Sequence, residues 1–339
     1  MDNLEKNINQ FSIILPVRNG GSYVKECINS LLNQTYKEYN IIVLDNCSTD
    51  GTLEWLRSLQ HQQIEIIPAG RPLSIEENWS RIKDIKKNEF ITLIGHDDLL
   101  SPTYLSTIDT LIKKYPTASL YQTHFTYINS TGEKVKDCLP MAEVQDAAAF
   151  LNCQFLRTLD STGTGYAMRS FDYDRLGGIP NYPNLIFADY ELWVRLTGLS
   201  FKATSNTVAF QYRLHNSVSK LTNAIQYQAA FLQYCKFLLE YKSGKEDVNN
   251  VIQKNGYRML DFICASLSHR LLQIPKTERN KSVNDFVKEC IEVSKELLGD
   301  KNKFNPYRSI SILTAILIDN SRFGSYLFSA YRKWKYNRS

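Results

Sequence analysis

The sequence predicts an α/β fold: a mostly parallel sheet with helices on both faces. Two patterns predict it. Through the first third, short apolar runs alternate with stretches whose apolar residues recur at helical spacing. Most of the apolar runs break off into polar or acidic residues, as strand ends do where a ligand-binding crevice opens. The composition, 43% hydrophobic and 22% charged, is that of an ordinary globular chain and excludes a disordered or fibrous one.

The elements follow in order. Phe11–Pro16 reads as a buried strand, and Tyr23, Cys27, Ile28, Leu31 and Leu32 mark a helix after it. Ile41–Leu44 is a second strand, with Leu53, Leu56 and Leu59 on one face of the next helix. Ile64–Ile67 is a third strand, followed by a helix through Ile75, Trp79, Ile82 and Ile85. Phe90–Ile94 is a fourth, and Tyr104, Leu105, Ile108, Leu111 and Ile112 give an amphipathic helix that stops near Pro116. Residues 117–220 read as irregular, with Gly- and Pro-containing loops around one helical run at Tyr190–Leu196. Residues 221–300 read as helical. A boundary near 220 separates a domain of residues 1–220 from a helical region of residues 221–339.

The seven cysteines are scattered, odd in number and never spaced CxxC, which fits neither a disulfide framework nor a zinc knuckle and points to a reducing, cytoplasmic setting. The polar N-terminus does not read as a signal peptide. The net charge of +5 is concentrated in the tail, where residues 301–339 hold eight Lys/Arg against Asp319. The preceding residues are slightly acidic, which argues against nucleic acid as a partner.

Two strand ends carry chemistry. The second ends in Leu44-Asp45-Asn46, where an acid and an amide suit a base edge or a ribose hydroxyl pair. Ser48, Thr49 and Asp50 beside them are good helix caps, a reading that leaves Asp45 unexplained. The fourth ends in Gly95-His96-Asp97-Asp98. Adjacent carboxylates repel unless a cation sits with them, and hard oxygen ligands suit Mg²⁺ or Mn²⁺ on a diphosphate. A solvated helix cap at Asp98 is the plainer alternative.

Together, FSIILPVRNGGSYVKECINSLLNQTYKEYNIIVLDNCSTDGT and FITLIGHDDLLSP resemble the inverting family 2 glycosyltransferases. The resemblance implies a GT-A nucleotide-sugar-binding fold, an Mn²⁺ or Mg²⁺ cofactor, and a nucleotide-sugar donor, UDP-linked in preference. It implies a glycan or lipid-linked hydroxyl acceptor of polysaccharide assembly. It places Pro16, Arg18 and Asn19 in a nucleotide-touching loop and Asp45 and Asn46 at the base. Asp97 falls where nucleotide and metal meet, and Asp98 is the metal ligand. Asn46 stands where one common form of the motif has a second Asp.

Phe187-Ala188-Asp189-Tyr190-Glu191-Leu192-Trp193-Val194-Arg195 resembles the family's "E-D-x-D-L-W-x-R" stretch, which makes Asp189 the general base and Glu191 the fallback. Ala188 replaces an acid there. A helix capped by Asp189 accounts for the same residues without chemistry. Gln211 to Ser219 resembles "Y-R-x-H-x-x-S-x-S", which implies Arg213 at the diphosphate and His215 at the metal. Thr162-Gly163-Thr164-Gly165 is either a plain turn or a close backbone approach to the sugar.

Two rivals stand beside this reading. A sugar nucleotidyltransferase needs a Gly- and Lys/Arg-rich loop after its first strand, and Pro16–Gly21 has one Arg and no Lys. A non-catalytic nucleotide-sugar binder would not require Asp45, Asp97, Asp98 and Asp189 together. In the tail, Ile310–Ile318 is too short to span a bilayer. Leu313, Leu317, Phe323, Leu327 and Tyr331 form one helical face before the basic run Arg332–Arg338. That face suits either contact with an anionic membrane surface or packing as a docked helix with a solvated end.

Overall fold

The computed structural model describes residues 10–214, 222–279, 281–321, 324 and 328. The chain divides into two compact units: residues 1–150 with 159–217, and residues 151–158 with 218–339.

The first unit is built on one ten-stranded sheet. Its strands β1 (Phe11–Val17), β2 (Tyr39–Asp45), β3 (Ile64–Ile66) and β4 (Phe90–Leu93) lie in the order β3-β2-β1-β4 and pair in parallel. All seven residues of β1 are buried, as the middle strand of a sheet covered on both faces requires. The register sets Val17 beside Asp45 and Ile14 beside Leu93, so these strands end at one edge. Helices α1 (Gly21–Leu32), α2 (Thr52–Ser58), α3 (Ile75–Ser80) and α4 (Tyr104–Lys114) connect them. Val24, Cys27, Ile28 and Leu31 of α1 and Leu105, Ile108, Leu111 and Ile112 of α4 are the buried faces.

The sheet does not stop there, and this departs from the expectation for residues 117–220. After the short β5 (Leu99–Leu100), this stretch forms β6 (Leu120–Ile128), β7 (Lys134–Asp137), β8 (Val144–Gln145), β9 (Tyr166–Arg169) and β10 (Lys202–Arg213). It also forms α5 (Ala147–Leu156), α6 (Ser170–Arg175) and α7 (Ala188–Thr197). β9 pairs antiparallel with β4 and β6, and β10 runs parallel to β6, so the sheet is parallel in its first half and mixed in its second. Apolar periodicity misses these strands because polar residues fill buried positions in them. Gln122 and Thr123 of β6 and Lys202 and Thr204 of β10 are all inside, with the Lys202 ammonium bonded to Gln145 Oε1 and Thr204 Oγ1.

The second unit is helical: α8 (Ala224–Tyr241), α9 (Glu246–Leu271), α10 (Val283–Leu298) and α11 (Ile310–Asn320). Leu238, Ile252, Leu260, Leu267, Phe286 and Cys290 are among its buried apolar residues. Ser282 and Asp285 form a reciprocal capping box at the start of α10. Asp319, the acid that follows the apolar run Ile310–Ile318, is buried, accepting the Val283 N–H at 2.7 Å and pairing with Arg279. No helix of the described residues is long and apolar enough to cross a membrane. Phe323, Leu327, Tyr331 and the basic run lie outside the described residues.

Candidate functional site

The loop after β1 is tied to the loop after β2. Asn19 sits at φ +53, where its N–H donates to Ser48 Oγ (2.9 Å) and its Oδ1 accepts the Thr49 N–H (2.8 Å). The Gly20 and Gly21 N–H groups donate to Thr52 Oγ1 and Asp50 Oδ2 at 3.0 and 2.9 Å. Ser48 therefore fastens the first loop, while Asp50 does both jobs: its Oδ1 accepts the N–H of Thr52, the first residue of α2, at 3.1 Å, next to an N-cap position held by Gly51 at φ +89. Pro16 is buried in β1, and Arg18 is exposed at the head of the loop.

Asp45 ends β2 fully buried. Its Oδ2 accepts the Ser48 N–H at 3.2 Å, while Oδ1 has no partner among the described residues. A buried acceptor left without a donor costs about 1–3 kcal/mol, so such an atom at a strand's carboxyl end points to a ligand hydroxyl or amide. Asn46 is placed differently from the expectation. Its Nδ2 donates to the Leu73 carbonyl (2.9 Å) and its Oδ1 accepts the Leu73 N–H (2.7 Å), so the amide braces the 68–74 segment like a piece of backbone. Sequence reasoning passed over Arg81, which bonds the Asp45 and Ile67 carbonyls and the Asn78 side chain from behind. An Arg in a helical segment gives no sign of that task.

Beyond β4, Asp98 is almost wholly buried. Its Oδ1 accepts the Arg213 backbone N–H (2.9 Å), and its Oδ2 accepts the Thr164 hydroxyl (2.7 Å). Burial, with Asp97 as the next cause, holds the Asp98 carboxyl well above the usual carboxylate range. Gly95 leaves room for both acids: a Cβ there would lie 2.5 Å from Asp97 Oδ1 and 3.3 Å from Asp98 Oδ2.

Two carboxylates crowded over one glycine are a donor set that fits a hard divalent ion. Each Asp98 oxygen keeps a second lone pair beyond its bond to protein. Among the described residues no three His, Cys, Asp or Glu side chains come together, so this pair would supply only part of a metal's shell. His215 lies outside the described residues.

Arg213 corrects its assignment to the diphosphate. Its guanidinium is buried, with Nε on the Asp97 carbonyl (2.7 Å), Nη1 on the Asn129 and Ser130 carbonyls, and Nη2 on Glu26 (2.6 Å). It also lies 4.6 Å from the Tyr23 ring centroid. With those donors committed to protein, Arg213 clamps the Asp97–Asp98 turn instead of facing a ligand.

Asp189 lies in the first turn of α7. The N-cap is Phe187 at φ +68 with no side-chain bond, so Asp189 is not the cap of its helix. Burial pushes its carboxyl up to about 6. A Cβ on Gly163 would lie 3.7 Å from Asp189 Oδ2, which brings the 162–165 loop against this acid. The same loop reaches Asp98 through Thr164, and Trp193 of α7 donates to the Thr162 carbonyl at 2.9 Å. Gly165, at φ +82, ends the loop where a Cβ would meet the Phe210 ring at 2.6 Å. The loop is therefore a strut between two acids far apart in sequence; the sequence marks 162–165 as a turn or a backbone approach, and gives no sign of the Thr164 side-chain bond to Asp98. Glu191 is committed elsewhere, accepting from Tyr182 Oη (2.6 Å) and facing Arg195 (3.4 Å).

The profile of the family "Glycosyl transferase family 2" matches residues 12–175. An uncharacterized glycosyltransferase of Haemophilus influenzae is 24% identical over 65% of this chain and 70% of its own length. The poly(ribitol-phosphate) beta-N-acetylglucosaminyltransferase TarS of Staphylococcus aureus is 27% identical over 31% of this chain and 19% of its own length. The crystal structure of S. aureus TarS 1-349 in complex with UDP-GlcNAc superposes with a TM-score of 0.68 at 14% identity, covering 96% of this chain and 92% of that one. That likeness shows the GT-A type of fold with a helical C-terminal region.

Proposed function

We propose that this chain, whose residues 12–175 match glycosyltransferase family 2, transfers a sugar, with inversion, from a nucleoside-diphosphate sugar to a hydroxyl of a glycan or lipid-linked acceptor in polysaccharide assembly. The observation that carries the reading is the 162–165 loop, which bonds Asp98 through Thr164 and lies against Asp189 at Gly163. It sets a leaving-group end and a proton-accepting end within one unit. In this reading residues 1–220 hold donor and reaction, and residues 221–339 are a helical appendage.

The unpartnered Asp45 Oδ1 receives a donor from the base or ribose, with UDP favoured because the TarS structure holds UDP-GlcNAc. Pro16, Arg18 and Asn19 shape the loop over the nucleotide. Asp97 and Asp98 would hold Mn²⁺ or Mg²⁺, which when bound neutralises charge on the diphosphate. Asp189 accepts the proton of the acceptor hydroxyl as that oxygen attacks the anomeric carbon on the face opposite the leaving group. A carboxyl lifted to about 6 is a stronger base than an ordinary one and is still ionised at neutral pH.

The test is calorimetric titration of UDP-sugars with and without Mn²⁺. Asp98→Asn should keep the fold and lose the Mn²⁺-dependent part of donor affinity. Full donor binding and turnover in excess EDTA would remove the metal from this reading.

The tail is assigned to the cytoplasmic face of a membrane. Ile310, Leu313 and Leu317 stand out from α11, the first and last 82% and 70% exposed, and the sequence after them is basic. Intact protein should pellet with anionic liposomes at low salt, and a chain ending at Ala330 should not. Equal pelleting of the two would make the tail a solvated end.

A further inference from the structure

The second unit holds a recess that the proposed reaction does not use. Phe155 and Arg157, at and just beyond the end of α5, line one side, and Tyr257, Arg258, Asp261 and Phe262 of α9 line the other, around about 670 Å³. The four α9 residues fall at i, i+1, i+4 and i+5, so one helical face presents them. Arg157 adopts φ +56, an uncommon conformation for a non-glycine residue. It is held there by its own N–H to the Gln154 carbonyl and the Thr158 N–H to the Cys153 carbonyl, at 3.2 and 3.0 Å. Its guanidinium comes to 3.9 Å from the Phe262 ring centroid, and Phe262 is 49% exposed.

A guanidinium stacked through its face keeps its in-plane N–H donors available. Among the described residues, no side-chain hydrogen bond or ion pair engages Arg157, Arg258 or Asp261. Burial raises the Asp261 carboxyl. Two guanidinium groups, a carboxyl and aromatic faces thus share one recess with their polar valences unspent. Aromatic rings take the apolar face of a sugar, a carboxylate takes its hydroxyls, and a guanidinium grips phosphate or carboxylate through two parallel bonds.

We propose that this recess binds an anionic saccharide, phosphate- or carboxylate-bearing, and so holds part of the acceptor polymer that is not itself reacting. The site stands on its own geometry and rests on the transferase reading only in making that saccharide the acceptor.

The experiment is calorimetry on the full chain with four probes: a polyol-phosphate oligomer, a uronate oligomer, a neutral oligosaccharide of equal length, and inorganic phosphate. One or both anionic oligomers should bind, and which of them binds names the acceptor's acid. The Arg157→Asn/Arg258→Ala double variant, in which Asn keeps the left-handed backbone, should weaken that binding about tenfold or more. Phe262→Ala should weaken it about fivefold. Donor hydrolysis should be unchanged in both variants, since neither touches the donor site. The proposal is overturned if neither oligomer binds, if the double variant binds as well as the parent, if the neutral sugar binds as tightly, or if inorganic phosphate alone binds as tightly as the oligomers. Failure of the transferase reading looks different. Parent protein would then show no donor turnover while its oligomer binding still fell in the double variant, leaving a saccharide site without the acceptor role.

Discussion

The end of the first unit proposed to hold the nucleotide and the end proposed to carry the reaction are held in different ways. At the nucleotide end, the loops after β1 and β2 are joined by several bonds between the short segments 19–21 and 48–52. At the reaction end, Asp98 hangs on two contacts from distant chain, Thr164 and the Arg213 N–H, and Gly163 of the loop that Trp193 holds lies against Asp189. Redundant bonding tolerates the loss of one member. A support made of one or two long-range bonds does not, so single substitutions should hurt most at the reaction end.

The largest effect is expected at Asp189. Asp189→Asn should lower transfer by about a thousandfold, within the range of a lost general base, while donor affinity measured by calorimetry stays as it was. The pH profile gives a second readout. With its carboxyl at about 6, Asp189 is protonated on the acid side. Transfer by the parent protein should therefore fall about tenfold per unit below that point and level off above it. The tyrosines whose charge would reach this acid, Tyr166 and Tyr212, are pushed up by burial and stay neutral throughout. A dead Glu191→Gln beside an active Asp189→Asn would move the base two residues along α7.

A middle-sized effect tests the strut. Thr164→Val keeps the shape of the side chain and removes one hydrogen bond from Asp98. Leaving a buried carboxylate oxygen short of a donor costs the folded protein about 1–3 kcal/mol, so the melting temperature should fall by a few degrees, and with the acid less firmly placed Mn²⁺-dependent donor affinity should drop about tenfold. Unchanged affinity would mean that the Arg213 N–H alone positions the acid. The smallest effect should come from the redundant end. Asn19→Gly keeps the left-handed backbone and three of the four inter-loop bonds, losing only the side-chain bond to Thr49, and should weaken UDP binding by no more than about threefold. A loss matching that at Thr164 would erase the contrast between the two ends.

The same contrast explains what was readable in advance. β1 to β4 announce themselves because continuous apolar runs are what a doubly covered strand needs, and Asp45, Asp97 and Asp98 stand out as acids at the ends of such runs. Strands β6 and β10 were hidden by buried Gln122, Thr123, Lys202 and Thr204, whose burial depends on partners elsewhere in the chain. Asn46 and Arg213 carry the right chemistry for a ligand, yet their polar atoms face Leu73, the Asp97 carbonyl and Glu26.

The sequence by itself determined the parallel core, the position of the acidic strand ends and the helical character of the described residues beyond 221. Each of these follows from periodicity and local order, which neighbouring residues carry between them. Tertiary structure alone decided which polar atoms are spent and which are open. It brought Thr164 to Asp98 across 66 residues and the Arg213 N–H to the same carboxylate across 115, and it left Asp45 Oδ1 without a partner among the described residues. A side chain's hydrogen-bonding capacity is fixed by its chemistry, but what consumes that capacity is fixed by groups that only the folded chain brings within 3 Å or so.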